Sequence, residues 1–152
     1  MRAKITPITT SFDDFRGWQV KYSTDNRYIV CSGIGAKRIW DTLSKREVSH
    51  SLPPGHFVLS PDGRAIAIAP YETPKILAYS MQSFEQIGEF STAKWGRAWE
   101  IGGQQSPHIT SFDFSQNGDR LVLGRSDAKL TTLSFPAMQE ISTMIVYRAD
   151  EV

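Results

Sequence analysis

Three stretches of this chain superimpose residue for residue: VKYSTDNRYIVC from Val20, FVLSPDGRAIAI from Phe57 and FDFSQNGDRLVL from Phe112. Each has an apolar residue three before a serine (Val20, Phe57, Phe112) and another just before it (Tyr22, Leu59, Phe114). The serines, Ser23, Ser60 and Ser115, open a short polar turn. Apolar residues then return in alternation: Ile29 and Cys31, Ile66 and Ile68, Leu121 and Leu123. Alternation at period two puts these side chains on one face of an extended chain, so each stretch reads as strand, tight turn, strand. Asn26, Gly63 and Gly118 stand where such a turn needs a positive φ, which asparagine and glycine adopt at least cost. A repeat of this kind must bury its faces unit against unit, which excludes most other ways of folding 152 residues.

The match runs on beyond the hairpin. A large apolar residue comes next in each unit, Trp40 in RIWDT, Tyr79 in LAYSM and Leu133 in TTLSF. Eight residues later comes another: Val48, Ile87 and Ile141. Each unit therefore supplies roughly four short antiparallel strands over roughly 35–40 residues. The expected fold class is all-β, built from three four-stranded blade-like units over about residues 17–52, 56–91 and 108–147. No amphipathic stretch suggests a long helix.

The strings VLSPDGRAIAIA, ILAYS and RIWDT resemble blades of WD-repeat β-propellers, over about residues 17–147. Trp40-Asp41 reproduces the signature dipeptide, and Tyr79-Ser80 and Leu133-Ser134 stand in its place in the other units. Gly55-His56 lies closer to Ser60 than the family's Gly-His pair, whereas His108 is better placed before its strand. Closed propellers have about four to eight blades, so three units imply a partial ring. The N-terminal stretch at about 4–11, KITPITTS, reads as a further strand that completes an outer edge. The open sides are expected to be closed by a second copy, as a homodimer, or by another protein, because unpaired strand edges invite association. A β-sandwich or irregular barrel made from the same hairpins is the alternative architecture.

Partners and chemistry are constrained mainly by what is thin. A net charge of +1 recommends neither nucleic acid nor an anionic membrane as partner. No apolar run has the length of a signal peptide core or of a spanning helix. The lone Cys31 fits a reducing, cytoplasmic setting. As the equivalent of Ile68 and Leu123, it is expected to be a buried, inert thiol. His50, His56 and His108 have no metal-ligand spacing, so neither a metal nor a cofactor is expected. The repeated serines are expected to bond local backbone in turns. The basic cluster Lys37, Arg38, Lys45, Arg46, interrupted by Asp41 and Glu47, is read as a solvated blade edge.

One segment breaks the repeat. Ser60 follows Ser23 by 37 residues, but Ser115 follows Ser60 by 55, and the extra residues fall at about 91–108, STAKWGRAWEIGGQQSPH. Extended, this insertion would put Trp95, Arg97, Trp99 and Ile101 on one face. Tryptophan and arginine are the residues most enriched at binding hot spots. The expected partner-binding residues are therefore Trp95, Arg97 and Trp99 with Lys94 and Glu100; a plug over an open side of the ring is the competing reading. The function expected is non-catalytic protein binding, of the kind an immunity- or antitoxin-type inhibitor performs when it covers a partner's active surface. The alternatives are a propeller-type hydrolase or lactonase, for which His108, Asp113 and Asp41 must converge in one pocket, and a scaffold subunit or fragment of a larger propeller.

Overall fold

In the computed structural model, residues 17–33, 36–48, 52–71, 73–95 and 107–146 are described, and these form three antiparallel sheets of four strands each. The first sheet is β1 (Gly17–Tyr22), β2 (Tyr28–Gly33), β3 (Ala36–Asp41) and β4 (Arg46–Glu47). The second is β5 (Gly55–Leu59), β6 (Ala65–Pro70), β7 (Lys75–Ser80) and β8 (Gln86–Ser91). The third is β9 (Ile109–Phe114), β10 (Arg120–Arg125), β11 (Lys129–Ser134) and β12 (Glu140–Ile145). Strands pair in chain order within every sheet, as up-and-down blades do. The proposed strand at 4–11 lies outside the described residues.

Two polar devices recur in the turns, the first in all three sheets and the second in the first two. In the β1–β2 turn, Ser23 Oγ donates to Asp25 Oδ1 at 2.5 Å and accepts the Tyr28 amide at 2.9 Å. Ser60 does the same with Asp62 (2.6 Å) and the Ala65 amide (2.9 Å), and Ser115 with Asn117 (2.8 Å) and the Arg120 amide (3.0 Å). Asn26, Gly63 and Gly118 have φ of 58°, 71° and 76°, as the turn chemistry requires. In the outer turn, Asp41 Oδ1 accepts the Leu43 amide at 2.9 Å, and Ser80 Oγ accepts the Gln82 amide at 3.1 Å. Serine thus replaces the aspartate of the dipeptide without loss of the cap. Five residues past Trp40, Tyr79 and Leu133, the backbone again turns left-handed, at Lys45, Phe84 and Met138.

The core lies between sheets. Each sheet has a rear face, turned toward the preceding sheet, and a front face, turned toward the next. Between the first and second, Tyr28, Val30 and Ile39 pack on Phe57, Ile66, Ile68 and Met81. Between the second and third, Val58, Ala67, Ile76, Ala78 and Phe90 pack on Phe114, Leu121, Leu123, Leu133 and Met138. Ile66, Ile68, Leu121 and Leu123 are fully buried and Phe57 and Phe114 nearly so, as the repeat alignment leads one to expect, whereas Leu59 and Phe112 are only half-buried and the aligned Val20 and Tyr22 are exposed. Each such Val, Leu, Ile or Phe contributes about 1.5–3 kcal/mol.

Two expectations are corrected here. Cys31 holds the position of Ile68 and Leu123 but is only half-buried, because no sheet among the described residues packs on its rear face. Partial burial still raises its thiol pKa and keeps it protonated. Lys37 is not part of a solvated edge: it is 4% exposed, on the front face of β3, where the equivalent residue in the second sheet is Ile76.

Candidate functional site

The first strand of each sheet, β1, β5 and β9, lines a cleft of about 460 Å³ on the inner side of the array. Gln19, Lys21, His56, Tyr71, Ser111 and Asp113 supply its polar lining. Alternation places all of these except Tyr71 there, since each inner strand sends every second side chain to this side of its sheet; Tyr71 reaches the cleft from the turn after β6. Gln19 Nε2 donates to Phe57 O at 3.1 Å and ties β1 to β5. The His56 and Tyr71 rings meet edge to face at 5.3 Å.

Lys37 sits behind this cleft, in the junction of the first two sheets. Its Nζ donates to Gly55 O at 2.8 Å and Ser32 Oγ at 3.0 Å, and lies 4.4 Å from the Phe57 ring centroid. Ser32 Oγ donates to the same Gly55 carbonyl at 2.7 Å. Gly55 has φ of 153°, and a Cβ there would collide with Ala69 O, so only glycine brings this carbonyl up to the ammonium. Burial pushes the Lys37 pKa down to about 7. Sequence proximity to Arg38 concealed this residue; its alignment with Ile76 and Leu130 was the signal that it faces inward.

The insertion begins as a 3-10 turn, Thr92–Trp95, and not as an extended strand. Trp95 stands at the junction of the second and third sheets, with its ring 5.9 Å from Phe90. The Arg125 guanidinium lies 4.1 Å from the Trp95 ring centroid. That guanidinium, 6% exposed, grips Asp127 at both oxygens, 2.9 Å from Nε and 2.6 Å from Nη2. A desolvated cation over an indole is worth about 2 kcal/mol, so the base of the insertion is firmly held. Trp95 Nε1 is buried with no hydrogen-bond partner among the described residues. Arg97, Trp99, Glu100 and Ile101 lie outside the described residues, and of Lys94 only the backbone is described. Nothing in the sequence singled out Arg125, which is partnered with Trp95 only through the fold.

His108, Asp113 and Asp41 are not brought together. Asp113 lines the cleft and accepts the Phe114 amide at 2.8 Å. Asp41 sits at the outer turn of the first sheet, 3.3 Å from Arg27 Nη2. Burial works to raise its pKa, but the bonds from the Leu43 amide, Arg27 and the Ser44 amide outweigh this and hold the carboxyl below its ordinary value. His108 is exposed, and its amide donates to Ser126 Oγ at 3.1 Å. The hydrolase arrangement that these residues were to form is absent among the described contacts. No group of three His, Cys, Asp or Glu side chains able to hold a metal occurs among the described residues.

No family model matches this sequence, and no curated protein does. Solved structures do match in shape. The structure of U3-55K superposes with a TM-score of 0.66 at 15% identity, over 89% of this chain and 41% of that one. The crystal structure of the RRP9 WD40 repeats superposes equally well, with a TM-score of 0.66 at 15% identity, over 89% of this chain and 40% of that one. The chain spans well under half the length of these structures. In the order of its strands, the packing of its sheets and its likeness to these solved structures, the chain has the fold of three consecutive WD-repeat-type blades in a ring that it does not itself close.

Proposed function

We propose that the protein is a non-catalytic protein-interaction module, with the insertion after β8 as part of its binding surface. The observation that carries this reading is the anchoring of Trp95. A segment that the blade repeat does not need is held at its base between Phe90 and Arg125, so the rest of the insertion departs from a rigid support. The finer reading is an immunity- or antitoxin-type inhibitor that covers a protein partner's active surface, and a cytoplasmic setting suits its lone reduced Cys31. The test is affinity purification of the full chain from its host, followed by titration of the captured partner. Trp99→Ala is expected to cost about 2 kcal/mol or more in affinity, with melting behaviour unchanged. Unchanged affinity for both Trp99→Ala and Arg97→Ala overturns the assignment of the insertion.

A second reading, that the chain is a portion of a larger propeller scaffold, is favoured by a specific observation. Both terminal sheet faces leave apolar side chains in solvent, among them Val20 (62% exposed) and Tyr22 (61%) on the first sheet and Met144 (61%) on the third.

A further inference from the structure

The two open sheet faces change character together. At the junction of the second and third sheets, Phe114 shares a cluster with Val58, and Met138 lies over Gly88, where an added Cβ would stand 2.7 Å from the methionine Cγ. Register and spacing identify the corresponding residues on the open faces. On the rear of the first sheet, Tyr22 takes the place of Phe114 and Lys45 that of Met138. On the front of the third sheet, Asp113 takes the place of Val58 and Ser142 that of Gly88. At these positions the junction of the second and third sheets has a phenyl and a valine in one cluster, and that of the first and second has Leu59 and Lys21, whereas the open faces offer a phenol and a carboxylate. Where the junction of the second and third sheets sets a thioether against a bare glycine, the open faces offer an ammonium and a hydroxyl. A phenol donates to a carboxylate, and an ammonium donates to a hydroxyl oxygen.

Apolar positions surround both pairs. Val122, Leu130 and Met144 stand where the second sheet buries Ala67, Ile76 and Phe90. Ile29 and Trp40, both half-buried, stand where it buries Ile66 and half-buries Tyr79. Arg38, also on the rear face, has Glu47 at 3.9 Å and does not enter as an isolated charge.

We propose that the front face of the third sheet docks on the rear face of the first sheet of a second copy of this chain, with Asp113 meeting Tyr22 and Ser142 meeting Lys45. The contact occurs twice about a two-fold axis and closes six blades into one ring, within the four-to-eight range of closed propellers. This rests on the reading of the chain as a partial propeller and not on the identity of its binding partner.

Sedimentation of the full chain at tens of micromolar is expected to give twice the monomer mass of 17.1 kDa. Tyr22→Arg and Met144→Arg, both at exposed positions, are each expected to weaken the dimer at least ~10-fold while leaving the melting profile of the dilute, monomeric protein unchanged. An equimolar mixture of the two variants is expected to recover a dimer, because one undamaged junction remains between unlike copies. A second measurement uses Tyr22→Cys with Asp113→Cys in a Cys31→Ser background, expected to form a disulfide-linked dimer under mild oxidation. A wild-type monomer at this concentration overturns the proposal. A dimer that Tyr22→Arg breaks and Met144→Arg does not is rear-to-rear pairing, and overturns it too. A monomer that still binds the purified partner through Trp99 removes the ring alone and leaves the interaction module standing.

Discussion

At the scale of single residues, a few polar groups fix the geometry of an otherwise apolar repeat. Ser60 Oγ is a donor to Asp62 and an acceptor for the buried Ala65 amide, and the Ser60 side chain is itself buried. Ser60→Ala leaves that amide unpaired and is expected to cost about 1–3 kcal/mol in chemical unfolding. The more exposed Ser115→Ala is expected to cost less. The Ser60 bond, then the Arg64 amide, hold the Asp62 carboxyl below its ordinary range, so its contribution is present above that range and is lost as pH falls below it. Lys37 acts over a different window. Its pKa falls from 10.5 to about 7 on folding, so between those values the unfolded chain binds more protons. Stability is therefore expected to decline as pH is lowered from about 10.5 toward 7, with a slope of up to about 1.4 kcal/mol per pH unit for one full proton. Lys37→Met is expected to remove this slope, which unfolding curves at pH 7, 8 and 9 compare directly with the parent. An unchanged slope in Lys37→Met rules out burial of this amine as its cause.

At the scale of elements, the junction between sheets is the unit of stability, since each sheet contacts only its neighbours, as in other repeat folds. Phe114 packs against Phe135 edge to face at 4.8 Å and closes the second junction. Phe114→Ala is expected to cost about 3–5 kcal/mol, read by denaturant unfolding. Gly88 has Met138 Cγ at 2.7 Å and Pro136 O at 2.8 Å from any added Cβ. Gly88→Ala must push backbone as well as side chain and is expected to cost about 1–3 kcal/mol. The outer turns serve the same junctions. The left-handed residue of the second and third sheets, Phe84 or Met138, folds over the core behind it, whereas in the first sheet it is the exposed Lys45.

At the scale of the molecule, the three sheets leave one rear and one front face without a neighbouring sheet among the described residues. A ring closed by a second copy makes thermal stability depend on protein concentration, so the melting temperature is expected to rise between low and high micromolar protein. A melting temperature independent of concentration places the closure elsewhere. Trp95 and Arg125 add a further tie between the second and third sheets, across the point where the repeat is interrupted.

The repeat itself was legible in the chain. Alternation, the Ser-x-Asp or Ser-x-Asn turn chemistry and the positive-φ sites at Asn26, Gly63 and Gly118 are local properties, and local geometry is what a periodic pattern encodes. The buried Phe57, Ile66, Ile68, Phe114, Leu121 and Leu123 came with it, because equivalent residues of stacked units meet equivalent neighbours. Partnerships across the fold were not legible. The burial of Lys37 under Phe57, the clasp of Arg125 on Trp95, the partial exposure of Cys31 and the separation of Asp41, Asp113 and His108 depend on which sheet lies against which. An identical pattern of residues is core in the middle of the array and surface at its end, since burial is set by the neighbour and not by the strand that carries the side chain.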